Sequence, residues 1–121
     1  MTAIRNTIPE YPIQLLRGVT RRMSIGLRSR GAVVPLAGYT AKLQARESAK
    51  ATAVLVELTV ENGGIEIDAA GGIVTLVFSA AATAAWSLPG EYDLMLKSPS
   101  GEVSCVLRGT VTPEQAITRW N

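Results

Sequence analysis

Glu66 and Asp68 stand two apart in Ile65-Glu66-Ile67-Asp68, which puts both carboxylates on one face of an extended strand. Such a pair is raw material for a calcium site or a glycosidase. Calcium takes about six to eight oxygens and no ligand loop flanks the pair, so a solvated pair is the simpler reading. Cys105 is the one thiol in the chain. It alternates with Val103 and Leu107, which predicts an inner-face position as a small hydrophobe and not as a nucleophile. No histidine occurs at all. The commonest general base and commonest metal ligand are therefore missing, and neither a Ser-His-Asp nor a Cys-His site can be assembled. Gly63-Gly64 and Gly71-Gly72 lack the lysine and following helix of a phosphate loop and read as hairpin turns. The expectation is a protein that is not an enzyme, with no catalytic residue, metal or cofactor.

Binding chemistry is thin but uneven. Residues 1–30 carry six arginines against Glu10 alone, +5, while the remainder is −3, giving +2 overall. A basic end and an acidic body can steer an acidic partner, or the arginines can simply solvate a strand face. Nucleic acid is an unlikely ligand, because aromatics make up only 5% and do not interleave with the arginines. For carbohydrate, Tyr39 and Tyr92 read as structural by strand phase, which leaves Trp86 and Trp120 as spare stacking candidates.

The elements that must position these residues are short strands. Alternation places Met23, Ile25 and Leu27 on one strand face, then Tyr39, Ala41, Leu43 and Ala45, then Val54, Val56 and Leu58. Tyr92, Leu94 and Leu96 alternate next, and Ser98-Pro99-Ser100-Gly101 turns the chain into residues 103–112. Leu43, Val56, Leu94 and Leu96 are the expected core. Asn62-Gly63-Gly64 marks a tight turn, residues 73–78 a strand apolar on both faces, and Ser79 a cap on a helical turn through the alanines with Thr83 inside. No helix is long enough to cross over between parallel strands. The fold class is therefore all-β: an antiparallel sandwich of seven to eight strands with one short helical turn. Residues 13–112 form the domain. Residues 1–12, with Pro9 and Pro12, read as an extended arm, and residues 113–121 as a polar tail. With 121 residues, 47% of them apolar, the chain is long enough to bury one core. Neither a signal-peptide run nor a membrane-length apolar stretch occurs, which predicts a protein used without export or membrane insertion.

The order of pieces carries a resemblance. Leu16-Arg17-Gly18 is followed by Pro35-Leu36-Ala37-Gly38-Tyr39-Thr40-Ala41, Leu43-Gln44-Ala45-Arg46, Asn62-Gly63-Gly64-Ile65 and Gly72-Ile73-Val74-Thr75-Leu76. Tyr92-Asp93-Leu94, Pro99-Ser100-Gly101 and Arg108-Gly109-Thr110-Val111 close the series. Over residues 13–112 it resembles the immunoglobulin-like module at the N-terminus of phage baseplate upper proteins, which also occurs as short proteins in phage and prophage tail regions. The resemblance implies an immunoglobulin-like fold and a structural role in a virion tail. It also implies other tail or baseplate proteins as partners, a symmetric multi-copy assembly, and synthesis in the host cytoplasm. A module reading a cell-surface glycan is the alternative. Candidate partner contacts are the off-pattern apolar residues Ile8, Tyr11, Ile117 and Trp120, with Arg21 and Arg22 at the basic end. A tryptophan in a tail is a plausible interface anchor, and packing back on its own domain is the other reading.

Overall fold

The computed structural model describes residues 8–120. Ile4 and Arg5, which the arm includes, lie outside the described residues. Two sheets face each other. The larger has the order β1 (Ile13–Leu16), β10 (Val103–Glu114), β9 (Gly90–Lys97), β5 (Thr40–Arg46) and β6 (Val56–Thr59). The smaller is β2 (Arg21–Gly26), β8 (Ile73–Phe78) and β7 (Ile65–Asp68), and a hairpin of β3 (Arg28–Ser29) and β4 (Ala32–Val33) sits apart. This is an all-β, immunoglobulin-like sandwich. Consecutive strands β5 and β6 stay in one sheet, whereas β6–β7 and β8–β9 change sheets. The β8–β9 crossing carries the one helix among the described residues, α1 (Ala80–Ala85).

Strand period two sets the core. Leu43 pairs with Leu94, and Leu94 with Leu107, so three leucines lie in one row across β5, β9 and β10. All three are buried, as are Leu96 in the next pair along and Val74, Leu76 and Phe78 on the facing sheet. Val56 departs from expectation. It is only half-buried, because β6 is an edge strand with one neighbour, and Leu58 supplies that strand's buried contact. Val54 precedes the strand and is exposed. The outer residues of β8, namely Ile73, Thr75 and Val77, are half-buried between flanking strands, which accounts for its two-sided apolar character.

Cys105 and Val103 are corrections. A register shift between Cys105 and Leu107 inserts an extra residue into β10. Beyond a bulge of this kind the alternation changes face. Leu107 points inward, but Cys105 pairs with Met95 and Val103 with Lys97 on the outer face. Val103 is 59% exposed, and Cys105 is half-buried with its thiol toward the Leu107 carbonyl at 3.6 Å.

The N-terminal strand also departs from a purely antiparallel plan. β1 runs parallel to β10, from Ile13 opposite Val111 to Leu16 opposite Glu114. Residues 9–11 continue that pairing upstream: the Tyr11 N–H donates to the Arg108 carbonyl at 2.8 Å, and the Arg108 N–H to the Pro9 carbonyl at 3.1 Å. Gly109 permits this approach, since a Cβ there would collide with the Tyr11 carbonyl. At the other end β10 runs on to Glu114, past the expected limit at residue 112.

Ser79 caps α1 as its sequence predicts, accepting from the Ala82 N–H at 3.1 Å. Trp86 follows directly and is buried; its ring lies 6.3 Å from that of Phe78, and its Nε1 donates to the Leu88 carbonyl at 2.8 Å. The spare stacking role read for Trp86 is thereby corrected, because an indole that crosses between sheets fills the sandwich end. Thr83 is the buried polar residue of the helix. Its hydroxyl accepts from the Gly18 N–H at 3.0 Å and lies 3.0 Å from the Val19 carbonyl and 3.1 Å from that of Ala80. One hydroxyl thus ties the helix to the β1–β2 turn. Thr83→Val is expected to leave the turn's backbone groups unpaired and cost about 1–3 kcal/mol in urea unfolding, whereas Thr83→Ser keeps most of that stability.

Candidate partner-binding surfaces

Tyr11 stands at the edge of the larger sheet, where the arm lies along β10. Its side chain is 45% exposed, and its carbonyl accepts a 2.6 Å hydrogen bond from the buried Tyr92 hydroxyl. Burial, with a smaller contribution from the neighbouring Tyr11, pushes the Tyr92 phenol up to about 12 from 10.0. Below pH 10.0 the phenol is neutral in both folded and unfolded chains, so the shift does not affect stability there. Between 10.0 and about 12 the unfolded chain ionises first, so folding stability falls as pH rises. Tyr92→Phe is expected to remove about 2 kcal/mol of that alkaline loss. At neutral pH it is expected to cost about 1 kcal/mol for the lost hydrogen bond. Denaturation curves of both proteins across that pH range read the two effects separately.

Ile8 is half-buried just upstream of the same edge. Glu10 and Arg108 approach to 3.5 Å on exposed side chains, a contact of little energetic weight. Behind the arm, the outer face of β5, β9 and β10 forms an open hollow of about 810 Å³, with Gln44, Arg46, Asp93 and Arg108 among its walls. Arg46 is held within its own chain: Nη1 donates to the Ala51 and Thr52 carbonyls at 3.0 and 2.8 Å, and Nη2 to Gln44 Oε1 at 2.9 Å.

Arg21 and Arg22 point to opposite faces of β2, as neighbours on a strand must. Arg21 Nη1 donates to the Gln14 carbonyl at 3.1 Å, linking the smaller sheet to β1. Arg22 faces Glu66 at 3.4 Å, both side chains 58% exposed. Asp68 Oδ1 accepts from the Gly71 N–H at 3.1 Å and so caps its own turn. Glu66 and Asp68 therefore face separate local partners. No group of three or more His, Cys, Asp or Glu residues suited to a metal ion occurs among the described residues.

The tail divides at Ala116, which is buried, whereas Ile117 and Trp120 are 95% and 96% exposed. Of the two readings for Trp120, packing on its own domain is not what the structure has. Arg17 fixes the near part of the tail. Its N–H donates to the Glu114 carbonyl at 2.8 Å, Nη1 to Gln115 Oε1 at 3.2 Å, and Nη2 to the Ala84 carbonyl near the end of α1 at 2.7 Å. Reasoning from sequence counted Arg17 only as charge. A cation just after one strand and four residues before the next, with a glycine after it, gives no sign that it will satisfy a distant helix carbonyl. The six candidates thus fall in three places: Ile8 and Tyr11 on the β10 edge, Arg21 and Arg22 on β2, Ile117 and Trp120 beyond β10. The structure does not gather them into one patch.

No protein-family profile and no curated protein sequence matches the chain. Fold comparison does find relatives of shape among solved structures, and the class that this chain's own strands define is the all-β sandwich. One of these relatives is the N-terminal domain of phage TP901-1 ORF48, with a TM-score of 0.54 and 13% identity over 84% of this chain and 83% of that one. At this identity the likeness is one of fold, and it agrees coarsely with the phage resemblance carried by the ordered motifs. Among the described residues, no helix is long and apolar enough to cross a membrane.

Proposed function

We propose that the chain is a non-enzymatic structural protein of a phage virion, a tail or baseplate component that joins other virion proteins in a symmetric multi-copy assembly. The observation that supports this most is the fold likeness to a domain of a phage protein over most of both chains, reached independently of the motif order. The distribution of apolar surface is consistent with it. Ile117 and Trp120 project almost fully exposed from the sandwich, where a lone domain gains nothing from exposing them. The glycan-reading alternative has less to stand on, since Trp86 and Tyr92 are core residues and Trp120 stands alone on its tail. Chemical cross-linking of intact particles, read by mass spectrometry, tests the joining role. Links from Lys42, Lys50 or Lys97 to other tail proteins are expected. Particles in which this chain links to nothing contradict it.

A further inference from the structure

The two ends of β10 carry complementary features. At its far end Ile117 and Trp120 leave the domain fully exposed, with Arg119 between them. At its near end the outer sheet face holds a hollow of about 540 Å³. Met95 and Val103 make its apolar part, with Lys42, Lys97 and Glu61 around it. The bulge in β10 is what puts Val103 on this face. The chemistry suits an indole: apolar contact beneath, two ammonium groups able to meet the ring face, and a carboxylate for Arg119. Neither lysine has an ion-pair partner among the described residues.

A tail cannot fill the hollow of its own molecule. β10 has 12 residues, so its ends stand roughly 35 Å apart. The residues from Ala116 to Trp120 span at most about 14 Å when fully extended. Any tail in that hollow comes from another molecule. We infer that Ile117 and Trp120 of one copy insert into the Met95–Val103 hollow of the next, head to tail. The contact joins two different surfaces, so it repeats from copy to copy and closes into a ring or continues as a file. This rests on the multi-copy structural role proposed above and names the surfaces that would carry it. One buried tryptophan covers only about 150–250 Å², so a single contact is weak and the assembly depends on concentration.

Sedimentation velocity of the full chain over a hundredfold concentration range tests this. Species larger than a monomer are expected, growing with concentration. Trp120→Ala and Val103→Glu are each expected to stay monomeric with unchanged melting, since both side chains are exposed. An equal mixture of the two variants is expected to form a dimer that grows no further, because one intact tail then meets one intact hollow. A wild-type chain that stays monomeric throughout overturns the contact, and so does Trp120→Ala assembling like wild type or a mixture that remains monomeric. The virion role is read separately. A monomer in solution that is nonetheless found in particles refutes only the head-to-tail contact, and an assembling chain absent from particles refutes only the virion role.

Discussion

Leu94→Ala is expected to lower the unfolding free energy by about 2–5 kcal/mol. Leu94 has no exposed surface and sits at the centre of the larger sheet, flanked by Leu43 on β5 and Leu107 on β10. Its neighbours are fixed by two ladders of backbone hydrogen bonds, so they cannot collapse into the space it leaves. Val56→Ala, at a half-buried edge position, should cost far less. Urea unfolding of both variants gives the ranking. Equal losses at the two sites would show that the row of three leucines is not the core's centre.

Removing residues 117–121 is expected to leave the melting temperature of the isolated domain unchanged while abolishing incorporation into particles. Ile117 and Trp120 touch almost nothing of their own domain, so folding does not depend on them. A cut after residue 112 should behave differently. It strips the pairing of Leu15 with Pro113 and Leu16 with Glu114, and it removes the Glu114 and Gln115 acceptors of Arg17. That shorter chain should be destabilised by roughly 2 kcal/mol or more, from several lost hydrogen bonds and the uncovering of Ala116's site. Thermal unfolding and quantitation of particle-bound protein give the two readouts. Normal incorporation of the chain lacking 117–121 would make the tail dispensable.

Much of the fold was legible where a local rule meets no competitor. The alternation through Leu43 and through Leu94 placed both residues correctly, because central strands with one buried face obey period two strictly. Ser79 was legible as a cap because its oxygen needs only a backbone N–H three residues on. Cys105 and Val103 were misplaced for a definable reason. A bulge adds one residue to a strand and reverses every phase beyond it, and nothing in Val103-Ser104-Cys105-Val106 announces the insertion. Trp86 was misjudged because a loop has no period from which burial can be read. The parallel β1 was invisible for another reason: strand direction relative to a partner some hundred residues away is a property of topology. Four of the candidate partner residues were singled out as off-pattern apolar types, and Arg21 and Arg22 by charge. Their scatter over three places, and the role of Arg17 in holding the tail, depend on long-range contacts that no local spacing encodes.

Mass spectrometry of gradient-purified phage particles induced from a strain that encodes the chain tests the central claim most directly. The chain is expected among the particle's proteins, at a copy number in fixed ratio to known tail components. Intact, infectious particles that lack it, with the protein left in the soluble lysate, would contradict a structural role in the virion.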